Sequence, residues 1–223
     1  MKWPLVHIEH VVSRTDRGDD LFSDLNLTLE PGRSALIIGG AGSGKTRLAE
    51  LLMGLRFPVS GKIDLFGESL RKRRYGTIRR IRRRIGGVGG PFALVNSLTV
   101  AENLTLPLVI AGEKQKVIKE RLSNFLAEFG LMSNAGQYPS TLTRVENALV
   151  LLARASIAHQ PLLLIDEPAA GLDPATSAKV YDYLIKASLS GRSMLILSSQ
   201  LLPIDIPNCD KYAFHKGEVA CFE

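Results

Sequence analysis

Gly39-Gly40-Ala41-Gly42-Ser43-Gly44-Lys45-Thr46 decides how this chain is read. The spacing is G-x-x-x-x-G-K-T, with the apolar run Ala35-Leu36-Ile37-Ile38 before it and a helical stretch from Arg47 to Met53 after it. A strand that hands over to a helix through such lean backbone lets consecutive N–H groups wrap an anionic phosphate. Lys45 adds a point charge for the outer phosphates, Thr46 a hydroxyl suited to Mg²⁺, and the helix N-terminus the positive end of its dipole. Gly39 to Thr46 therefore reads as a phosphate-binding loop with a nucleotide as its ligand. A chance glycine turn before a helix is the simpler alternative, and a second, acidic element downstream weighs against it.

That element is Pro161-Leu162-Leu163-Leu164-Ile165-Asp166-Glu167-Pro168. Four apolar residues bounded by proline are too short for a helix and suit a central parallel strand with carboxylates at its C-terminal end. In open α/β sheets ligands gather at that end. Mg²⁺ takes one or two carboxylates plus phosphate oxygens, which makes Asp166 the metal-side acid. Adjacent strand residues face opposite ways, so Glu167 takes a different role, orienting or deprotonating an attacking water.

The rest of the pattern alternates. Residues 5 to 12 and 25 to 30 read as short strands around the polar turn Arg14 to Asp20, and Val59 to Gly67 as turn and strand. The basic segment from Arg71 to Arg84 is expected to be helical, and Ile85 to Gly90 to be a strand running into a flexible loop. A helix is predicted to begin at Thr99 or Ala101. Val117, Ile118, Leu122, Phe125, Leu126 and Phe129 give an amphipathic helix over Gln115 to Phe129. Thr143-Arg144-Val145-Glu146 is a capping box opening another, apolar on several sides and expected to be buried. Residues 175 to 189 suit a helix, Met194 to Leu197 a buried strand, and Lys211 to Phe222 a hairpin around Lys216-Gly217. Such alternation predicts an α/β core with a helical block inserted near 91 to 155.

With 223 residues, 45% of them hydrophobic, the chain can bury one good-sized core. Neither a secretory signal nor a run of membrane-spanning length is read in it, so a soluble protein is expected whose membrane role, if any, comes through a partner. Cys209 and Cys221 have neither metal-ligand spacing nor disulfide density and are expected to be buried or idle thiols in a reducing cytoplasm. In Arg71 to Arg84 every residue but Tyr75, Gly76, Thr77, Ile78 and Ile81 is basic, which outweighs the whole net charge of +6. A solvated face, contact with anionic lipid and contact with nucleic acid all remain open for it; with Tyr75 its only aromatic, a base-stacking surface is not supported.

Taken together these residues resemble an ABC-type ATPase, the nucleotide-binding subunit of transporters, over nearly the whole chain. Leu98-Thr99-Val100-Ala101-Glu102-Asn103, Leu106-Pro107-Leu108, Tyr138-Pro139 and Gly171-Leu172-Asp173-Pro174 stand in family positions. Ile85-Gly86, Val109-Ile110-Ala111-Gly112 and the short C-terminus resemble the FtsE-like, LolD-like and MacB-like branch. The resemblance implies a P-loop NTPase fold with a RecA-like core, an antiparallel β subdomain and an inserted α-helical subdomain. It implies one domain over 1–223, with the core at about 1–90 and 156–223 and the helical part at about 91–155. ATP and Mg²⁺ are the implied ligands, and Asp173 stands at the family's D-loop. The implied partners are an integral membrane permease and a second ATPase subunit, identical or different. The implied place is cytoplasmic, peripheral on the inner face of the cell membrane.

Departures from the family accompany the matches. Where members carry Leu-Ser-Gly-Gly followed by Gln or Glu, through which one subunit contacts the other's ATP, this chain has Leu142 followed by Thr143, Arg144, Val145 and Glu146. The glutamine after the strand at Ile85 falls on Gly90. The γ-phosphate-sensing histidine falls on Ser199, or on Gln200 if the register shifts by one, and residues 13 to 20 hold no aromatic to stack on adenine. Losing one preorganised donor costs roughly 10²- to 10³-fold in rate. Slow hydrolysis with intact ATP binding is therefore expected. Three readings stay open: the energising subunit of a membrane complex, a hydrolysis-poor module paired with a different ABC subunit, and a nucleic-acid-associated ATPase suggested only by the basic segment.

Overall fold

A computed structural model describes residues 3–215 and 218–222, and among these the chain forms two sheets. β1 (Val6–Arg14), β2 (Asp20–Leu29), β4 (Ser60–Leu65) and β5 (Glu68–Ser69) form an antiparallel sheet in the order β2-β1-β4-β5. The second sheet has the order β10-β9-β3-β8-β7-β6, made of β3 (Ser34–Ile38), β6 (Ile85–Val88), β7 (Leu162–Asp166), β8 (Ser193–Ser198), β9 (Cys209–His215) and β10 (Glu218–Phe222). Its pairs are parallel except β9 with β10.

Side-chain alternation divides the apolar strands between two cores. Ile37, Leu162, Leu164, Leu195 and Leu197 point to one face, where they pack with α1 (Lys45–Leu52) and the antiparallel sheet. Leu36, Leu163, Ile165, Met194 and Ile196 point to the other, against α5 (Arg144–Ser156) and α6 (Pro174–Leu189). Strands buried on both faces read as unbroken apolar runs, which is why β7 and β8 lack polar alternation. α3 (Val100–Ala111), α4 (Gln115–Glu128) and α5 share a third core around Leu104, Phe125 and Val150. Thr99, one of the two predicted starts, caps α3, and Thr143 caps α5, each through a complete capping box.

Several expectations need correction. β1 and β2 reach Arg14 and begin at Asp20, so the turn shrinks to 15–19. Register shifts after Ile8 and Val11 had broken the alternation that marks a strand in sequence. Only Tyr75–Arg83 of the basic segment is helical (α2); Arg73 has φ 72° and the residues before α2 turn. β6 does not open into a loose loop, because Gly89 bridges back to Phe92 at once. α5 is only partly buried. Cys209 is half-buried, its thiol pushed up to about 11 chiefly by burial, and Cys221 is exposed. The Lys216-Gly217 turn lies outside the described residues, although the strands flanking it pair as a hairpin should. Among the described residues no helix is long and apolar enough to cross a membrane.

Candidate nucleotide site

β3 delivers the phosphate-binding loop to α1 at the C-terminal edge of the parallel sheet, beside the end of β7. Gly40, Ala41 and Gly42 are exposed, leaving the loop open to a ligand. Gly44 takes φ 102° over Phe22, so α1 begins without a side-chain cap and its N–H groups are free for an anion. Lys45 is buried and donates from Nζ to the carbonyls of Gly39 (2.6 Å) and Gly40 (3.1 Å). It also lies 3.6 Å from Glu167 Oε1.

Thr46 Oγ1 donates to Asp166 Oδ2 at 2.9 Å. Asp166 is buried, and burial raises its carboxyl above the ordinary range; the Thr46 hydrogen bond offsets part of this, Glu167 adds to it and Lys45 opposes it. An under-compensated carboxylate beside a hydroxyl is a pair of hard oxygen donors short of positive charge, which fits Mg²⁺.

Glu167 leaves the strand with φ 55°, in the left-handed region that non-glycine residues rarely adopt. Its N–H donates to the Leu197 carbonyl at 2.8 Å and holds that conformation. Ser199 Oγ donates to Glu167 Oε2 at 3.1 Å. Of the two residues considered for the sensor position, Ser199 thus reaches the carboxylate, whereas Gln200 is exposed and tied through its backbone to Ser198.

Gly90, where the family's glutamine was expected to fall, is packed against Asp166. It has φ 48°, and a Cβ there would run into Asp166 Oδ2. A Cβ on Gly89 would likewise run into the Asp166 carbonyl. Thr143, Arg144, Val145 and Glu146 open α5: Thr143 Oγ1 accepts from the Glu146 N–H at 3.2 Å, and Glu146 Oε2 accepts from the Thr143 N–H at 2.7 Å. Arg144 lays its guanidinium over Gly171 of its own chain. A cavity of about 500 Å³ separates these groups, with Gly90, Arg144, Asn147, Asp166 and Glu167 among its walls. Asp173 caps α6, its Oδ1 accepting from the Ala175 and Thr176 N–H groups, both at 3.0 Å.

The family profile described as ABC transporter matches residues 22–170. The chain belongs to the ABC transporter family. A methionine import ATP-binding protein of Pseudomonas entomophila is 33% identical over 206 residues, covering 92% of this chain and 62% of that protein. Its namesake in Photobacterium profundum is 35% identical over 177 residues, covering 79% and 52%. The chain thus spans between about half and two thirds of the length of these relatives. Among solved structures, a dimeric ATP-binding cassette in a post-hydrolysis state with ADP and Pi superposes with a TM-score of 0.83 at 25% identity, covering 96% of both chains. The methionine-import relatives lend no support to the FtsE-, LolD- and MacB-like branch.

Sequence reasoning brought Gly39 to Thr46, Asp166 and Glu167 to one place, and the ABC cassette fold does so. It missed Gly89 and the Ser199–Glu167 hydrogen bond. The glycine pair Gly89-Gly90 was the available signal for the first; the second joins the ends of two parallel strands and leaves no local pattern.

Proposed function

We propose that this chain is the ATP-binding subunit of an ABC transporter-type membrane complex and that it hydrolyses ATP slowly. The supporting observation is the 2.9 Å contact between Thr46 and Asp166 with Lys45 and Glu167 alongside. The loop N–H groups and Lys45 bind the phosphates; Thr46 and Asp166 would hold Mg²⁺, which would offset phosphate charge. Glu167 accepts a proton from the attacking water as its oxygen bonds to the γ-phosphorus and the bond to the bridging oxygen breaks, giving ADP and phosphate. Ser199 keeps that carboxylate aimed when Lys45 turns from it to the phosphates.

A core of about 1–90 and 156–223 with a helical insert of about 91–155 belongs to the same proposal, as does attachment to the inner membrane face through a permease. The groove of about 310 Å³ between β6, α2 and α3, floored by Ile85, Leu106, Pro107 and Ile110, supports a seat for the permease. Cargo choice then lies with that subunit; methionine is the cargo named for the relatives. Steady-state ATPase measurement of Glu167→Gln tests the reading: turnover should collapse with ATP binding retained, and an unaltered rate would overturn it.

Arg144 favours a second reading, a hydrolysis-poor module paired with a different ABC subunit. Arg144 and Val145 replace the residues whose bare backbone approaches the opposite nucleotide, and Arg144 is folded onto Gly171. The dimeric cassette among the structural relatives supports pairing as such. Hydrolysis at ordinary rates by a dimer of this chain alone would remove the second reading.

A further inference from the structure

The proposed ATP chemistry uses none of the basic run from Arg71 to Arg84, and the fold sorts that run into occupied and unoccupied cations. Arg80 donates to Glu68 at 2.5 Å, Arg82 to the Met53 carbonyl at 2.7 Å, and Arg84 lies 4.0 Å over the Phe66 ring. Among the described residues, Arg71, Lys72, Arg73, Arg74, Arg79 and Arg83 have no carboxylate within ion-pair distance. Ile78 and Ile81 turn α2 onto the core, so Arg79 and Arg83, one turn apart, stand together on its outer face. Arg83 also lines the apolar groove above, so the cationic face runs directly into the proposed seat of the membrane subunit.

Two exposed aromatic rings flank the patch. Tyr75 opens α2 at 68% exposure, and Trp3, 69% exposed, lies over Gly67, between Phe66 and Glu68, the partners of Arg84 and Arg80. Cations with Trp and Tyr at their margin are the composition that suits a headgroup layer. Rings at the margin do not form the interleaved stacking row that single-stranded nucleic acid needs.

We propose that the outer face of α2, with the turn Arg71 to Arg74, docks on anionic lipid headgroups beside the membrane subunit. The orientation rests on the groove being that subunit's seat; binding of the isolated chain to lipid does not, which keeps the two separable. Each Lys or Arg near such a surface contributes about 1 kcal/mol, so losing two weakens partitioning roughly 30-fold.

The test is flotation of the purified chain with phosphatidylcholine vesicles, with and without phosphatidylglycerol. The expected result is binding only when phosphatidylglycerol is present, weakened roughly 30-fold in Arg79→Gln/Arg83→Gln and unchanged in Lys116→Gln/Lys119→Gln, which removes the same charge from exposed positions on α4. Fluorescence of Trp3, the single tryptophan, should shift to the blue on the anionic vesicles alone; this wild-type measurement stands if a variant misfolds. Equal losses in both double variants, binding to pure phosphatidylcholine, or α2-dependent binding to an RNA or DNA duplex without vesicle binding would each overturn the proposal. ATP binding, measured alongside, reports on the nucleotide reading independently.

Discussion

Restoring the family's glutamine at Gly90 should damage this protein. The smallest step, Gly90→Ala, already places a Cβ against Asp166 Oδ2 at a residue with φ 48°. A left-handed non-glycine residue costs about 1–2 kcal/mol. The new methyl also forces Asp166 away from Thr46, and a hydrogen bond to a charged group contributes about 1.5–3 kcal/mol. The sum is roughly 3–4 kcal/mol. Gly112 is the internal control: it ends α3 at φ 77° with nothing within 4 Å of an added Cβ, so Gly112→Ala carries only the backbone penalty of about 1 kcal/mol. Urea unfolding of the two variants isolates the Asp166 clash by difference. Titration with a fluorescent ATP analogue, with and without Mg²⁺, should show at least about tenfold weaker Mg²⁺-dependent binding for Gly90→Ala, equivalent to about 1.4 kcal/mol. Gly90→Gln should be no better. If Gly90→Ala is no less stable than Gly112→Ala and binds Mg²⁺ and nucleotide normally, the packing of Gly90 on Asp166 does not govern the site.

Ser199→Ala removes the hydrogen bond to Glu167 and should lower kcat about 5- to 10-fold with nucleotide affinity unchanged, while Ser199→Thr keeps the hydroxyl and most of the rate; equal loss in both variants would exclude the hydrogen bond as the cause. Thr143→Ala loses the α5 cap and should cost about 1 kcal/mol in denaturant unfolding. Stability should respond to pH in opposite senses at two sites. Burial raises the Asp166 carboxyl, so the folded chain holds that proton more tightly than the unfolded one; the nucleotide-free protein gains stability as pH falls through this group and loses it as pH rises through its folded value. Burial, then Arg192 and Arg121, lower His159, so its contribution is present above about 6.5 and lost as pH falls below it. Thermal melts across pH should lose the first component in Asp166→Asn and the second in His159→Gln.

Contiguous patterns in the chain specify the local parts of this protein. Gly39 to Thr46 needs only a strand, a run of small residues and a helix N-terminus, all contiguous, and Asp166-Glu167 announces itself by ending an apolar run. The capping boxes at Thr99 and Thr143 are complete within four residues each. Strand ends were less legible where bulges in β1 disturbed the two-residue period, and α2 proved shorter than its charge run because charge does not mark a helix boundary. What the departing residues touch depends on tertiary packing. Parallel pairing of β7 with β8 sets Ser199 beside Glu167, and pairing of β6 with β7 presses Gly89 and Gly90 onto Asp166. These contacts join residues far apart in the chain, through space that no single segment's pattern encodes. The same holds for the basic run: its charge was plain in the sequence, but which arginines meet a carboxylate among the described residues, and that Arg83 borders an apolar groove, depended on the packing of α2 against its neighbours.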